Sequence, residues 1–151
     1  MTASSGSGNV IDRSNSSAKP AVLRPSEMPA TDRGGGNKTI PLVSNKVGSR
    51  QMLNGITSIA PGAAIALHTH NCEESVIVIE GWAVVELDGV DHALDTFDTT
   101  WVPPNVPHRF KNLSSGGALR IFWTYASIDA TRTLVATGET HSIGSEHKAP
   151  R

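Results

Sequence analysis

The chain has 151 residues, a formal net charge of −1 and 38% hydrophobic residues, enough for one domain with its own core. That charge balance gives no electrostatic case for nucleic acid or an anionic membrane, and no apolar run reaches the length of a membrane span. The N-terminus lacks the apolar stretch of a secretory signal, and the single cysteine, Cys72, excludes an internal disulfide framework, so a cytoplasmic location is expected.

Residues 1–20 are rich in Ser, Gly, Asn and Ala with little to bury, and are expected to form a disordered tail. Residues 21–38, with Pro25, Pro29 and Gly34-Gly35-Gly36, read as an irregular arm. From Thr39 onward short β-branched and apolar runs alternate with Gly, Pro and Asn. The expected strands are 39–44, 51–59, 64–70, 74–79, 82–87, 90–94, 99–102, 107–113, 118–126 and 131–136. No segment sustains a 3.6-residue period, so the pattern predicts an all-β sandwich or barrel over 39–136. Asp88-Gly89 reads as a two-residue hairpin turn. Residues 137–151 read as a polar C-terminal tail.

Within this β pattern stands His68-Thr69-His70, with Glu74 and His108 downstream. In a strand, residues i and i+2 share a face, so His68 and His70 present two imidazoles side by side. A carboxylate and a third imidazole from neighbouring strands would complete a set able to hold a divalent metal with positions to spare. Glu73 competes with Glu74 as ligand, and the spacing favours Glu74. Cys72 is expected to be a small packed residue rather than a thiolate ligand. His92 is expected at the surface, and His141 and His147 in the tail.

The fixed positions Gly62, His68, His70, Glu74 and Gly81 resemble the first signature of the cupin superfamily. Pro103, Asn105, His108 and Asn112 resemble the second. Asn105 and Phe97 stand where that superfamily usually has Gly. Asn tolerates a left-handed backbone nearly as well as Gly, whereas Phe97 implies a differently built turn. The resemblance covers roughly residues 40–126. It implies a double-stranded β-helix, a small jelly-roll barrel, holding one divalent ion (Fe, Mn, Ni, Co or Zn) on His68, His70, Glu74 and His108.

Side-chain parity extends the reading to a pocket. Ala64 and Ala66 share the face of His68 and His70, Val76 and Val78 follow Glu74 inward, and Phe110 follows His108. Leu119, Ile121, Trp123 and Tyr125 point in if Arg120 points out. The expected substrate pocket is therefore apolar and aromatic, lined by Ala64, Ala66, Val76, Phe110, Trp123 and Tyr125. The opposite parity places Ile65, Leu67, Ile77 and Ile79 on an outer face that should be polar if solvated. A homodimer through the sheet bearing them is expected. The resemblance implies a Lewis-acid cyclase or isomerase of a small enol, ketone or polyketide-like aromatic, with Glu74 as its base. A non-haem metal dioxygenase and a non-catalytic cupin binding a sugar or small effector are the alternatives.

Overall fold

The computed structural model describes residues 19–147; the expected N-terminal tail, apart from Lys19 and Pro20, and the last four residues lie outside them. The described chain forms twelve strands: β1 (Thr31–Gly34), β2 (Asn37–Pro41), β3 (Leu53–Ile59), β4 (His68–His70), β5 (Glu74–Glu80), β6 (Ala83–Leu87), β7 (Val90–Leu94), β8 (Thr99–Val102), β9 (His108–Lys111), β10 (Leu119–Tyr125), β11 (Thr131–Leu134) and β12 (Thr140–Ser142). They make two six-stranded sheets, β1-β2-β3-β10-β5-β8 and β12-β11-β4-β9-β6-β7. Every pairing is antiparallel. This is the all-β jelly-roll barrel expected from the sequence. No described helix is long and apolar enough to cross a membrane.

The period-2 alternation sets the interior. Along β10, Leu119, Ile121, Trp123 and Tyr125 are buried while Arg120, Phe122 and Thr124 are partly exposed. Along β5, Glu74, Val76 and Val78 take the inner face. On β9, His108 and Phe110 point in, with Arg109 and Lys111 on the other side. Just beyond, the fully buried Asn112 donates to the carbonyls of Ile59 and Gly117, both at 2.9 Å, and accepts from the Ser114 amide. It thereby ties the end of β9 to β3 and to the loop before β10. Leu53, Gly55, Thr57 and Ile59 are the inward set of β3. Gly55 is required there, because a Cβ would lie 2.5 Å from the Trp123 ring and 2.6 Å from the Ile40 carbonyl.

The turns follow their local chemistry. Asp88 and Gly89 both have positive φ, as a two-residue hairpin turn between β6 and β7 needs, and Leu87 pairs with Val90 across it. Asn105 adopts the left-handed backbone that its replacement of Gly allows. Phe97 does so too, at φ 75°, despite its Cβ, with its ring 75% exposed.

Four expectations about the architecture need correction. The arm is not irregular throughout: Gly35 and Gly36 close a hairpin between β1 and β2, extending the sheet past Thr39. Its strand Thr-Asp-Arg-Gly has little β propensity and is held by pairing to β2, which the sequence pattern does not display. The polar C-terminus is also ordered as far as described. β12 pairs with β11, and a 3-10 turn, Ile143–His147, buries Ile143 in the core. The expected strand 64–70 is regular only over β4, with a single bridge at Ala64. Parity is therefore lost between Ile65 and His68, which face the same cavity three residues apart, while Ala64 and Ala66 are exposed. Finally, Ile65, Leu67, Ile77 and Ile79 do not share a sheet face. The turn Asn71–Glu73 sends β4 and β5 to opposite sheets, Ile65 turns to the cavity, and only Ile77 and Ile79 stay together, half-buried on β5.

Candidate metal centre

His68, His70, Glu74 and His108 are all buried, and their ligand atoms lie within 4.8 Å of one another. The fold brings them together across the two sheets. His68 on β4 is the direct cross-strand partner of His108 on β9. Glu74 opens β5 in the opposite sheet and pairs with Tyr125. Glu73 is exposed and accepts a hydrogen bond from the Trp101 indole, so the carboxylate in the cluster is Glu74.

The orientation of each imidazole is fixed from behind. His68 Nδ1 faces the Ala66 carbonyl at 2.6 Å, His70 Nδ1 the Thr131 carbonyl at 2.9 Å, and His108 Nδ1 the Val106 carbonyl at 2.8 Å. A carbonyl only accepts, so each ring proton sits on Nδ1 and each Nε2 turns a lone pair inward. The Nε2 atoms of His68 and His70 are 3.1 Å apart, and Glu74 lies 3.0 Å from His70 and 3.2 Å from His108. The last contact is close without being a directed hydrogen bond, since Glu74 Oε1 and His108 Nε2 are both buried with no hydrogen-bond partner. Two donors at right angles, each about 2.1 Å from one ion, sit about 3 Å apart. The set therefore fits a divalent metal, and such an ion satisfies lone pairs that otherwise face one another.

The shift at His68 agrees with this assignment. Burial, then Arg132 and the two neighbouring histidines, push His68 well below the ordinary histidine value and keep it neutral. Burial opposes ionisation of Glu74, but its contacts with His108, which carries a second proton when no ion is bound, and with His70 outweigh it and hold its pKa well below the usual carboxylate range. Burial and the adjacent Glu74 carboxylate raise Tyr125 well above an ordinary phenol, so it keeps its proton.

Beside the cluster is a cavity of about 520 Å³ counting its opening to solvent. His68 and Glu74 reach its wall, and Val76, Phe110, Trp123 and Tyr125 line it. The Trp123 indole is held by a 2.9 Å hydrogen bond to Thr57, which in turn meets Thr39 at 3.0 Å. Ala64 and Ala66 do not line the cavity; Ile65 takes their place. Sequence reasoning missed Arg33, Arg132, Glu146 and His147, which complete the wall. His147 was placed in a tail, yet its ring stacks on Trp123 with centroids 5.6 Å apart. Cys72 is half-buried and outside the ligand set, with its thiol pKa pushed up mainly by burial. His92 is exposed.

A Cupin domain family profile matches residues 55–125. Over 106 residues, 69% of this chain and 68% of the other, the sequence is 33% identical to polyketide synthase CurC of Streptomyces cyaneus. The chain belongs to the cupin superfamily. Protein SchB of Streptomyces halstedii is 33% identical to this cupin over 97 residues, covering 64% of this chain and 70% of that one. Among solved structures, the polyketide cyclase RemF from Streptomyces resistomycificus superposes with a TM-score of 0.67 at 14% identity, over 83% of this cupin and 86% of RemF. At that identity the likeness is one of fold.

Proposed function

We propose that this cupin is a divalent-metal-dependent enzyme that cyclises or isomerises a small enolisable, polyketide-like aromatic substrate. The observation that carries the reading is a cavity walled by Phe110, Trp123 and Tyr125 that reaches His68 and Glu74 of the four-ligand cluster. Flat aromatic walls suit a flat, conjugated substrate. The relationship to CurC, itself named a polyketide synthase, favours the same substrate class.

A divalent metal on the cluster supplies Lewis-acid polarisation of a substrate carbonyl. The protein supplies the remainder. Glu74 is ionised and faces the cavity, whereas the other lining carboxylate, Glu146, is tied to two arginines. Glu74, on leaving the ion, is the acceptor for a proton from the carbon next to that carbonyl. Tyr125, kept protonated beside Glu74, is placed to donate to a substrate oxygen. The apolar walls exclude water, so an enolate closes on carbon rather than being quenched.

The test is turnover of aromatic β-diketones and poly-β-ketones by protein loaded in turn with Zn(II), Mn(II), Fe(II) and Ni(II), followed by mass spectrometry in air and under argon. Cyclised or isomerised product of the same mass, or lighter by the water lost on ring closure, independent of O2 and abolished by chelator, is the expected result. Products carrying oxygen that vanish under argon make the protein a dioxygenase instead. Binding without turnover under every metal makes it a binding module.

A further inference from the structure

The cavity wall away from the ligands carries a charge cluster that the chemistry above does not use. Arg132 lies on β11, where its register partner is the ligand His70, and its side chain is only 8% exposed. Arg33 reaches the same cavity from β1. Both meet Glu146 of the C-terminal turn: Arg33 Nη1 lies 2.9 Å from Oε2, and Arg132 Nε lies 2.7 Å from Oε1. His141 Nε2 also contacts Oε1 at 2.7 Å. Two guanidinium groups therefore share one carboxylate. Arg132 Nε, though close to it, is buried without a well-directed hydrogen bond.

We propose that Arg33 and Arg132 form the receptor for a carboxylate group of the substrate, and that Glu146 fills it as an internal stand-in which the ligand displaces. The inference rests on the reading that this cavity is the substrate site, and it narrows the substrate to an aromatic or enolic carboxylic acid. The pair carries one more positive charge than Glu146 neutralises, and the planar guanidinium fork matches a carboxylate. A buried ion cluster is a poor way to stabilise a wall, because desolvation consumes most of its attraction. Glu146 and His147 of the turn stand in the cavity wall between the arginines and the aromatic side chains. The segment carrying Glu146 is the last described piece of chain, and it also carries the His147 ring that covers Trp123. Its displacement would free the aromatic wall and the arginines together, leaving the ligand's ring on Trp123 and its carboxylate on the arginines.

The test uses the full chain, zinc-loaded and metal-free, with benzoate as probe and benzamide as its uncharged counterpart. Benzoate should speed amide hydrogen exchange across Ile143–His147 and change tryptophan fluorescence, and benzamide should do neither. Glu146→Gln should bind benzoate about tenfold more tightly or better, because the internal competitor is weakened. Arg33→Gln, a change at a less buried position, should weaken binding by about the same factor. The wild-type exchange measurement decides the matter even if a variant fails to fold. If benzoate leaves exchange in that turn unchanged, or acts no differently from benzamide, Glu146 is a structural clamp and the proposal falls. A zinc-loaded protein that turns over enols but ignores benzoate overturns this inference alone. A protein that responds to benzoate but binds no metal overturns the proposed function alone.

Discussion

Replacing Gly55 by Ala tests how the barrel holds the wall of the site. The added Cβ would sit 2.5 and 2.8 Å from two carbons of the Trp123 ring and 2.6 Å from the Ile40 carbonyl, where contact normally begins at about 3.5 Å. Both neighbours must retreat by about 1 Å, or the Gly55 backbone must shift away from them. Ile40 is held in the β2–β3 ladder opposite Ile56, so its carbonyl gives way only by distorting that ladder, while the indole is pushed aside. It then strains its 2.9 Å hydrogen bond to Thr57 and its stack with His147. Overpacking costs about 1–3 kcal/mol and a lost buried hydrogen bond about 1 kcal/mol. The reduced freedom of the unfolded chain returns up to about 1 kcal/mol. A net loss of about 1–4 kcal/mol corresponds, for a chain of this size, to a Tm lower by roughly 2–16 °C. Thermal unfolding followed by circular dichroism measures it, and tryptophan emission reports the displaced ring. A variant that melts within a degree of wild type with unchanged emission would refute the claim that Gly55 is there to seat Trp123.

Three further outcomes are expected. Zinc at about 100 times its Kd should stabilise the protein by about 2.7 kcal/mol, and the gain should disappear in His108→Ala; an undiminished thermal shift in that variant would remove His108 from the ligand set. Burial works against a charge on His108, yet Glu74 beside it raises its pKa above the ordinary histidine value. Protons therefore compete with the metal from near neutrality downward, and zinc affinity should fall about tenfold per pH unit below that pKa; calorimetry showing equal affinity at about pH 5.5 and 7.5 would contradict this. Phe97 holds a left-handed backbone with its ring 75% exposed, so Phe97→Gly relieves strain while giving up little packing; denaturant titration should show a gain of about 0.5–1 kcal/mol, and a loss would mean the Phe97 ring has a packing partner.

Much of the fold was legible because its signals are local. Alternation along residues 119–125 and 108–111 carries its own inside and outside, and Asp88-Gly89 carries its own turn. The four clustered residues were legible differently: His68 and His70 share a face of one strand, and Glu74 and His108 followed from the motif resemblance to cupins. Parity failed at Ala64 and Ala66 because the chain leaves regular strand geometry before His68, and alternation has no meaning across an irregular segment. The assumption that Ile65, Leu67, Ile77 and Ile79 share one sheet face failed similarly. Ile65 and Leu67 were assigned to the same sheet as Ile77 and Ile79, although a three-residue turn moves the chain from one sheet to the other.

The sequence by itself determined the β alternation and the aromatic side chains it turns inward, because these depend on periodicity within one or two strands, and its motif resemblance to cupins implied the jelly roll and the His68-His70-Glu74-His108 cluster. Only the tertiary structure decided what faces that cluster across the cavity. Arg33, Arg132 and Glu146 come from a glycine-closed hairpin, a short edge-side strand and a polar C-terminal turn, none with a core-forming pattern of its own. They meet because distant segments pair in register, and pairing over about a hundred residues is set by the whole fold rather than by any local sequence.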